Sequence, residues 1–371
     1  MKQQGSKINF NGEKVFVAMD VHKNDWKVAF CTVNRQPSRH PITITHPFIE
    51  NLSSYLNKHY PGAAFEICYE AGFCGFWIYH ELTALGHKVL VANPADIPTS
   101  DKERKHKEDK RDARKIARGL KEESIIGIYV PDEEVLRERS LVRERYSIAK
   151  SLRRIKTQIR SHLMLYNQEL RDYPSKNHWS KRYINDLSAL AEKESDLTLQ
   201  LQLTRLNDLR VLMLKANRSL RAIGKSAKYE KLFGILISVP GVGMLTTMQL
   251  ITEIVDMKRF SNFDKLCSYV GFIPMTHSSS DNERVGPITK RSNKRLRTAL
   301  VESSWTAVGS DPELLLKYEQ YRKRMKGQQA IVYIAKILLR RIRYVWLNEV
   351  EYKKGVNLET QIENKTSQKS K

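Results

Sequence analysis

The sequence predicts an α/β domain followed by a remainder that is all α-helical. Between residues 15 and 120, short apolar runs with strand character alternate with helical patterns. Residues 134–224 instead hold helical spacings and contain no glycine before Gly224. Beyond residue 231, apolar helical stretches are interrupted by a Pro-Gly-Val-Gly turn at 240–243. These observations favour a mixed sheet with covering helices, then long helices, then a compact helical module.

The first domain has the expected order of three strands, helix, strand, helix, strand and helix. The predicted strands are 15–20, 26–33, 42–44, 64–70 and 88–92, and the predicted helices are 48–59, 75–85 and 109–120. A meander that changes to strand–helix alternation fits a mixed sheet with helices on both faces. It is also the element order of the ribonuclease H fold.

The middle region predicts two long amphipathic helices, either antiparallel or paired between subunits. Apolar residues recur at spacings of three and four at Ile148, Leu152, Ile155, Ile159, Leu163 and Tyr166, and again at Leu206, Leu209, Met213, Ala216, Leu220 and Ile223. The first helix also carries a basic face, made of Arg143, Arg145, Lys150, Arg153, Arg154, Lys156 and Arg160. That face either contacts a nucleic-acid backbone or is simply solvated.

Four acidic residues stand where a divalent-cation site would need them. Asp20 and Glu70 each end an apolar run, and Asp109 and Asp112 lie one turn apart at a predicted helix start. Carboxylate oxygen is the ligand that Mg²⁺ prefers, with Mn²⁺ as a substitute. The pattern predicts a pair of cations that serves phosphate chemistry. The alternative for Asp109 and Asp112 is complementation of the helix dipole.

The turn at 240–243 has the pattern of a helix–hairpin–helix motif. Gly241 and Gly243 allow a tight turn, and the N–H groups that begin the next helix could hold a phosphate. The alternative is an ordinary corner between two helices.

A serine run, Ser278 to Ser280, precedes a strongly basic stretch. Six basic residues and no acid stand between Arg284 and Arg297. An activated serine beside such a stretch could attack a phosphodiester, whereas the alternative is a flexible loop. The nucleic-acid-binding candidates in this part of the chain are Lys290, Arg291, Lys294, Arg295 and Arg297.

The 371-residue chain has a formal net charge of +23, which predicts a polyanionic partner. Nucleic acid is the first expectation and an anionic membrane face the second. No apolar run is long enough to span a bilayer, and the amino terminus lacks the apolar segment of a signal peptide. The four cysteines show no zinc-ligand spacing, and three of them predict buried thiols in a reducing, cytoplasmic compartment.

The chain resembles the DEDD transposases of bacterial insertion sequences, the bridge-RNA-guided recombinases that include the Piv/MooV DNA invertases. The motifs that carry the resemblance are Met19-Asp20-Val21-His22-Lys23, Tyr69-Glu70-Ala71-Gly72, Lys107-Glu108-Asp109-Lys110-Arg111-Asp112-Ala113, Val239-Pro240-Gly241-Val242-Gly243 and Tyr269-Val270-Gly271-Phe272-Ile273-Pro274. The resemblance implies four parts: a RuvC-like domain over 1–128, a coiled-coil region over 129–228, a transposase domain over 229–354, and a disordered tail over 355–371.

The resemblance also implies roles for individual residues. The metal ligands would be Asp20, Glu70, Asp109 and Asp112. A nucleophilic serine would follow Pro274 at Ser279, with Ser278 and Ser280 as alternatives because the family's glycine position holds Ser280. A second departure is Ser292, where the family has glycine.

The implied reaction is DNA cutting and rejoining through a covalent phosphoserine intermediate, with Mg²⁺ at the acids. The implied partners are double-stranded DNA of element ends and target, a structured bridge RNA, and further copies in a homodimer or homotetramer. The expected location is the bacterial cytoplasm, at the nucleoid. The alternative activity is a RuvC-like, metal-dependent DNA endonuclease that forms no covalent intermediate; a third reading is a nucleic-acid-binding protein with a decayed acidic site.

Overall fold

The computed structural model describes residues 9–38, 40–97, 109–168, 179–279, 282–288 and 292–355, and only the backbone at 109–112, 274–279 and 282–288. It divides into two compact units, Met1–Glu133 and Glu134–Lys371. The tail prediction falls, apart from Gly355, outside the described residues.

The first unit is built on a five-stranded sheet in the order β3-β2-β1-β4-β5. The strands are β1 (Lys14–Val21), β2 (Trp26–Thr32), β3 (Ile42–Ile44), β4 (Ala64–Glu70) and β5 (Lys88–Ala92). The helices are α1 (Ile49–His59), α2 (Trp77–Ala84) and α3 (Asp109–Lys121). β1 lies antiparallel to β2 and parallel to β4. Every strand and helix predicted for this part of the chain is therefore present.

Each face of this sheet has its own core because successive strand residues point to opposite sides. Val15, Val17 and Met19 pack with buried residues of α1 and α2. Phe16 and Ala18, between them in sequence, pack with α3. The sheet is thus covered by helices on both faces, as predicted.

The second unit begins with three helices: α4 (Glu133–Leu165), α5 (Lys181–Lys193) and α6 (Leu197–Gly224). α4 and α6 are antiparallel within the chain. Arg145 near the start of α4 donates to Asn217 near the end of α6 at 3.1 Å. His162 near the end of α4 lies 2.6 Å from Asp196, which caps the start of α6. Within the chain the two helices are antiparallel, and pairing between subunits stays a prediction.

The short helix α5 is absent from the sequence prediction. The Ser180 hydroxyl caps it by accepting from the Tyr183 amide at 3.1 Å. Its apolar stripe, Ile184, Leu187 and Ala191, packs against buried residues of α4 and α6. Only three buried residues form this stripe, which is too weak a periodic signal to stand out among neighbouring polar residues.

The remainder packs around one large core. Its helices are α7 (Glu230–Ile237), α8 (Met244–Ile254), α9 (Phe263–Val270), α10 (Lys294–Ser310), α11 (Pro312–Arg322) and α12 (Gly327–Asn348). Two strands, β6 (Pro274–Ser279) and β7 (Asn282–Ile288), form an antiparallel hairpin. The prediction of a purely helical module was wrong here. The two strands are rich in polar residues and pair with each other, so their sequences lack the apolar alternation by which a strand is recognised. Among the described helices, none has the length and apolar content to cross a bilayer.

Candidate functional site

Asp20 and Glu70 stand next to each other at the carboxyl edge of the sheet. Met19 of β1 pairs with Tyr69 of β4 in parallel register, and the two acids come one residue later on each strand. Both are partly buried. Parallel strands end at the same sheet edge, so the predicted convergence of these two carboxylates follows from the register.

Both acids belong to the sheet face that α3 covers. Ala18 and Cys68, two residues earlier on each strand, are buried in the cluster that includes Ala113 and Ile116 of α3. Because strand side chains alternate, Asp20 and Glu70 share that face.

The other two predicted acids occupy the first turn of α3. Positions 109 and 112 come one turn before Ala113 and Ile116, on the stripe of the helix that packs on the sheet. The side chains of Asp109 and Asp112 lie outside the described residues. The backbone nevertheless brings all four positions to the same face of the same domain.

His22 is an additional residue at this edge that the sequence reasoning did not assign a role. Its Nε2 lies 3.2 Å from Oδ2 of Asp20. The Asp20 side chain is 18% exposed and that of His22 is 42% exposed. A hydrogen bond from a histidine to one oxygen of a metal-binding carboxylate fixes the orientation of that carboxylate. His22 makes such a contact with Asp20. The sequence signal that was missed is a histidine two residues after Asp20, directly after the end of β1.

The chemistry of these residues fits a hard divalent cation. Partly buried carboxylates at a sheet edge offer oxygen ligands, which Mg²⁺ and Mn²⁺ prefer. No cluster of three or more potential ligands occurs among the described side chains. The side chains in the first turn of α3, which supplies two of the four predicted acids, are outside that set.

The predicted serine loop is a β-hairpin. Ser278 pairs with Glu283 and Ser279 with Asn282, so Ser278 and Ser279 end β6 next to the reversal of the chain. Ser280, Lys290 and Arg291 lie outside the described residues, as do the side chains of the strands. The serines are therefore carried at the tip of a paired ribbon.

The two ends of this hairpin are held together by Arg297. Its Nη1 donates to the Gly271 carbonyl at 3.2 Å, before β6, and to the Ser292 hydroxyl at 3.3 Å, after β7. Gly271 has φ +91°, and a Cβ there would lie 2.3 Å from the Ser292 oxygen. Arg297, predicted to bind nucleic acid, thus has a structural role at the hairpin base.

Glu253 of α8 is the centre of a buried polar network. The Glu253 carboxylate, 2% exposed, accepts from Arg143 Nε at 2.9 Å and Nη2 at 3.1 Å. It also accepts from the Asn293 amide at 2.9 Å. Asn293 caps α10 by accepting from the Leu296 amide. The sequence signal that was missed is a lone acid inside the apolar run Leu250-Ile251-Thr252-Glu253-Ile254.

Most of the other predicted nucleic-acid contacts are on the surface. Arg153 and Arg154 are exposed on α4, and Lys294 and Arg295 are exposed at the start of α10. Their exposure leaves them available to a polyanion, although they do not all face the same part of the surface.

Two family models match the chain in the segments that carry these features. One is a transposase model of the DEDD IS110 group and matches residues 17–168. The other, described as "Transposase IS116/IS110/IS902 family", matches residues 234–319. The first segment contains all four acids, and the second contains the serine hairpin and Glu253.

Both matched segments are thus similar to the IS110/IS116/IS902 transposase family.

Individual members of this transposase group are similar over much of the chain. The transposase for insertion sequence element IS1533 of Leptospira borgpetersenii is 29% identical over 313 residues, 79% of this chain and 85% of the relative. The y4qE protein of Sinorhizobium fredii, named as a transposase, is 31% identical over 240 residues, 64% of this chain. That match spans 57% of the y4qE length. The transposase for IS1111A of Coxiella burnetii is 24% identical over 238 residues, 63% of each chain.

The Pro-Gly-Val-Gly turn joins α7 to α8, as predicted. Gly241 has φ +77°, and a Cβ there would lie 2.0 Å from the Ser303 carbonyl oxygen of α10. Gly241 is thus required for close packing of the turn on α10. Gly243 is the residue before α8 and is exposed, with no atom within 4 Å of a Cβ position. Of the two glycines, Gly243 is the one at the predicted phosphate-binding helix start.

Proposed function

We propose that this protein is a DNA transposase whose strand cleavage takes place at the acidic sheet edge, by the RuvC-like, metal-dependent route. The observation that carries the proposal is the register that sets Asp20 beside Glu70, with the start of α3 on the same face. The match of this part of the chain to a DEDD transposase model supports the same reading.

The residues of the site have distinct parts in this reaction. Asp20 and Glu70, with Asp109 and Asp112, would hold Mg²⁺ or Mn²⁺ by their carboxylate oxygens. When bound, the cations supply charge neutralisation at the phosphoryl oxygens and an activated attacking oxygen. His22 orients Asp20 by its hydrogen bond. The sheet and α3 hold the acid-bearing backbone in place through the apolar cluster beneath them.

A second candidate is the covalent route, in which the hydroxyl of Ser279 attacks a DNA phosphorus. A bond forms from the serine oxygen to phosphorus while the bond from phosphorus to the leaving sugar oxygen breaks, and the hydroxyl proton passes to the surrounding base or water. The observation that favours it is the placement of Ser278 and Ser279 at the end of β6, in a hairpin whose flanking residues Gly271 and Ser292 are both bound by Arg297.

The partners of the proposed transposase are the DNA of element ends and target. The net charge of +23 supports binding of long polyanions. A structured bridge RNA, and assembly into a homodimer or homotetramer, remain predictions attached to the covalent route.

One gel assay tests both routes. The purified protein is incubated with Mg²⁺ and end-labelled element-end DNA, and the products are resolved under denaturing conditions with and without protease. We expect Asp20→Asn to abolish cleavage while DNA binding is retained, and full cleavage by this variant would overturn the proposal. Loss of a protein-linked band in Ser279→Ala would support the covalent route, whereas undiminished cleavage by Ser279→Ala without any such band would support the endonuclease route.

A further inference from the structure

A groove of about 580 Å³ opens on the second unit between α4 and the start of α10. Two segments that are far apart in sequence line it, one on α4 and one on α10. The lining residues are Arg143, Tyr146, Ser147, Lys150 and Arg153 of α4 and Arg295 of α10.

The groove is strongly cationic. Four of its lining residues carry positive charge, and none of the lining residues in the described part of the chain is a carboxylate. Arg143 is balanced by Glu253 beneath it. Lys150, Arg153 and Arg295 are exposed, so the open side presents a net charge of about +3 to an incoming anion.

The floor of the groove is held from below by α8. Glu253 binds Nε and Nη2 of Arg143 and so fixes the plane of its guanidinium, which stays 43% exposed. The Tyr146 hydroxyl donates to Oε1 of Gln249, a residue of α8 that is 1% exposed, at 2.5 Å. Groups fixed before a ligand arrives lose less side-chain entropy when it binds.

We propose that this groove binds the phosphodiester backbone of a nucleic-acid strand through Lys150, Arg153 and Arg295. The inference rests on the proposed function, because it assigns the surface that binds the nucleic-acid substrate. Lys150 and Arg153 are one helical turn apart and so lie on one side of α4. Cations of this kind contact phosphates and set the register of a strand without reading its bases.

The two sides of the groove share one buried carboxylate. Asn293, two residues before Arg295, donates to Glu253 at 2.9 Å. Glu253 also accepts from Arg143 in the groove floor. The start of α10 and the groove face of α4 are therefore held to the same residue of α8.

The test measures binding of the full-length protein to a DNA duplex and to an RNA hairpin of equal nucleotide number, by fluorescence anisotropy at several salt concentrations. The variants are Arg153→Gln, Lys150→Gln, Arg295→Gln and the three combined. The matched control is Arg137→Gln, because Arg137 is an exposed arginine of the same helix, α4, and does not line the groove. Thermal melting checks that every variant folds.

Each groove variant should bind about fivefold more weakly at 0.15 M salt, with the slope of log K against log salt reduced by about 0.9. Arg137→Gln should stay within about twofold of wild type. A loss of affinity for DNA alone, for RNA alone or for both supports the groove and identifies its ligand. Unchanged affinity of the triple variant for both probes, or an equal loss in Arg137→Gln, overturns the proposal. Cleavage of element-end DNA is scored separately, so failure of the groove is distinguishable from failure of the proposed transposase activity.

Discussion

His22 Nε2 lies 3.2 Å from Asp20 Oδ2 at the carboxyl edge of the five-stranded sheet. The contact is local, since only Val21 separates the partners and His22 is the first residue after β1. It holds one carboxylate oxygen of Asp20, a residue of the cation site that we propose.

His22→Ala should lower the rate of metal-dependent DNA cleavage by roughly 10- to 100-fold, because residues that orient a metal ligand have effects of that size. The measurement is the cleavage rate across a Mg²⁺ titration, where the half-saturating Mg²⁺ concentration should rise. His40→Ala, at an exposed residue, should behave as wild type. A His22→Ala protein with unchanged rate and unchanged Mg²⁺ dependence would remove His22 from the site.

Glu253→Gln should destabilise the second unit by about 1.5–3 kcal/mol, the usual contribution of a hydrogen bond to a charged group. The substitution keeps the size of the side chain but weakens its bonds to Arg143 and Asn293. Urea unfolding gives the free energy directly. Glu302→Gln, at an exposed acid on α10, is the control and should change stability very little. Equal stability of the two variants would contradict the role assigned to Glu253.

Alanine substitution of Gly241 and of Gly243, in the turn between α7 and α8, should destabilise the protein to different extents. Gly241→Ala should lower the free energy of unfolding by more than the roughly 1–2 kcal/mol that a non-glycine residue costs in the left-handed region. The added Cβ would also collide with the Ser303 carbonyl. Gly243→Ala should cost no more than about 1 kcal/mol, since alanine there meets open space and loses only a favourable capping residue. Thermal unfolding compares the two. Similar melting temperatures would refute the packing role of Gly241.

The cysteines should differ in reactivity toward a thiol-labelling reagent at pH 8. Burial raises the pKa of Cys31 and Cys267 to about 11 and that of Cys68 to about 12. Because the thiolate is the reactive form, labelling of these three should be slow and should speed up as pH rises toward those values. Cys74, only half-buried, should react first, and all four should react in denaturant. Rapid labelling of three or more thiols in the folded protein would contradict the structure.

The sequence was sufficient for the first unit because every strand and helix there carries its own apolar pattern. It also located Asp20 and Glu70, since an acid that ends an apolar strand is visible without coordinates. Their side-by-side placement depends on the parallel register of β1 and β4, which no local pattern specifies.

Other features arise from contacts between distant parts of the chain and could not be predicted. The pairing of β6 with β7 depends on backbone hydrogen bonds between polar strands. Glu253 meets Arg143 across 110 residues. Arg153 and Arg154 are equivalent in sequence, and only the fold distinguishes which of them lines a groove with Arg295.

The antiparallel pair of α4 and α6 is linked at two separated points. Arg145–Asn217 joins the helices near the large core, and His162–Asp196 joins them near the far end, about 25 Å away at 1.5 Å of rise per residue. Because each residue turns an α-helix by about 100°, deleting one residue from each helix between these contacts would move the paired side chains off their facing sides. Deleting seven residues from each would return them to nearly the same face and shorten the distance between the two contacts by about 10 Å.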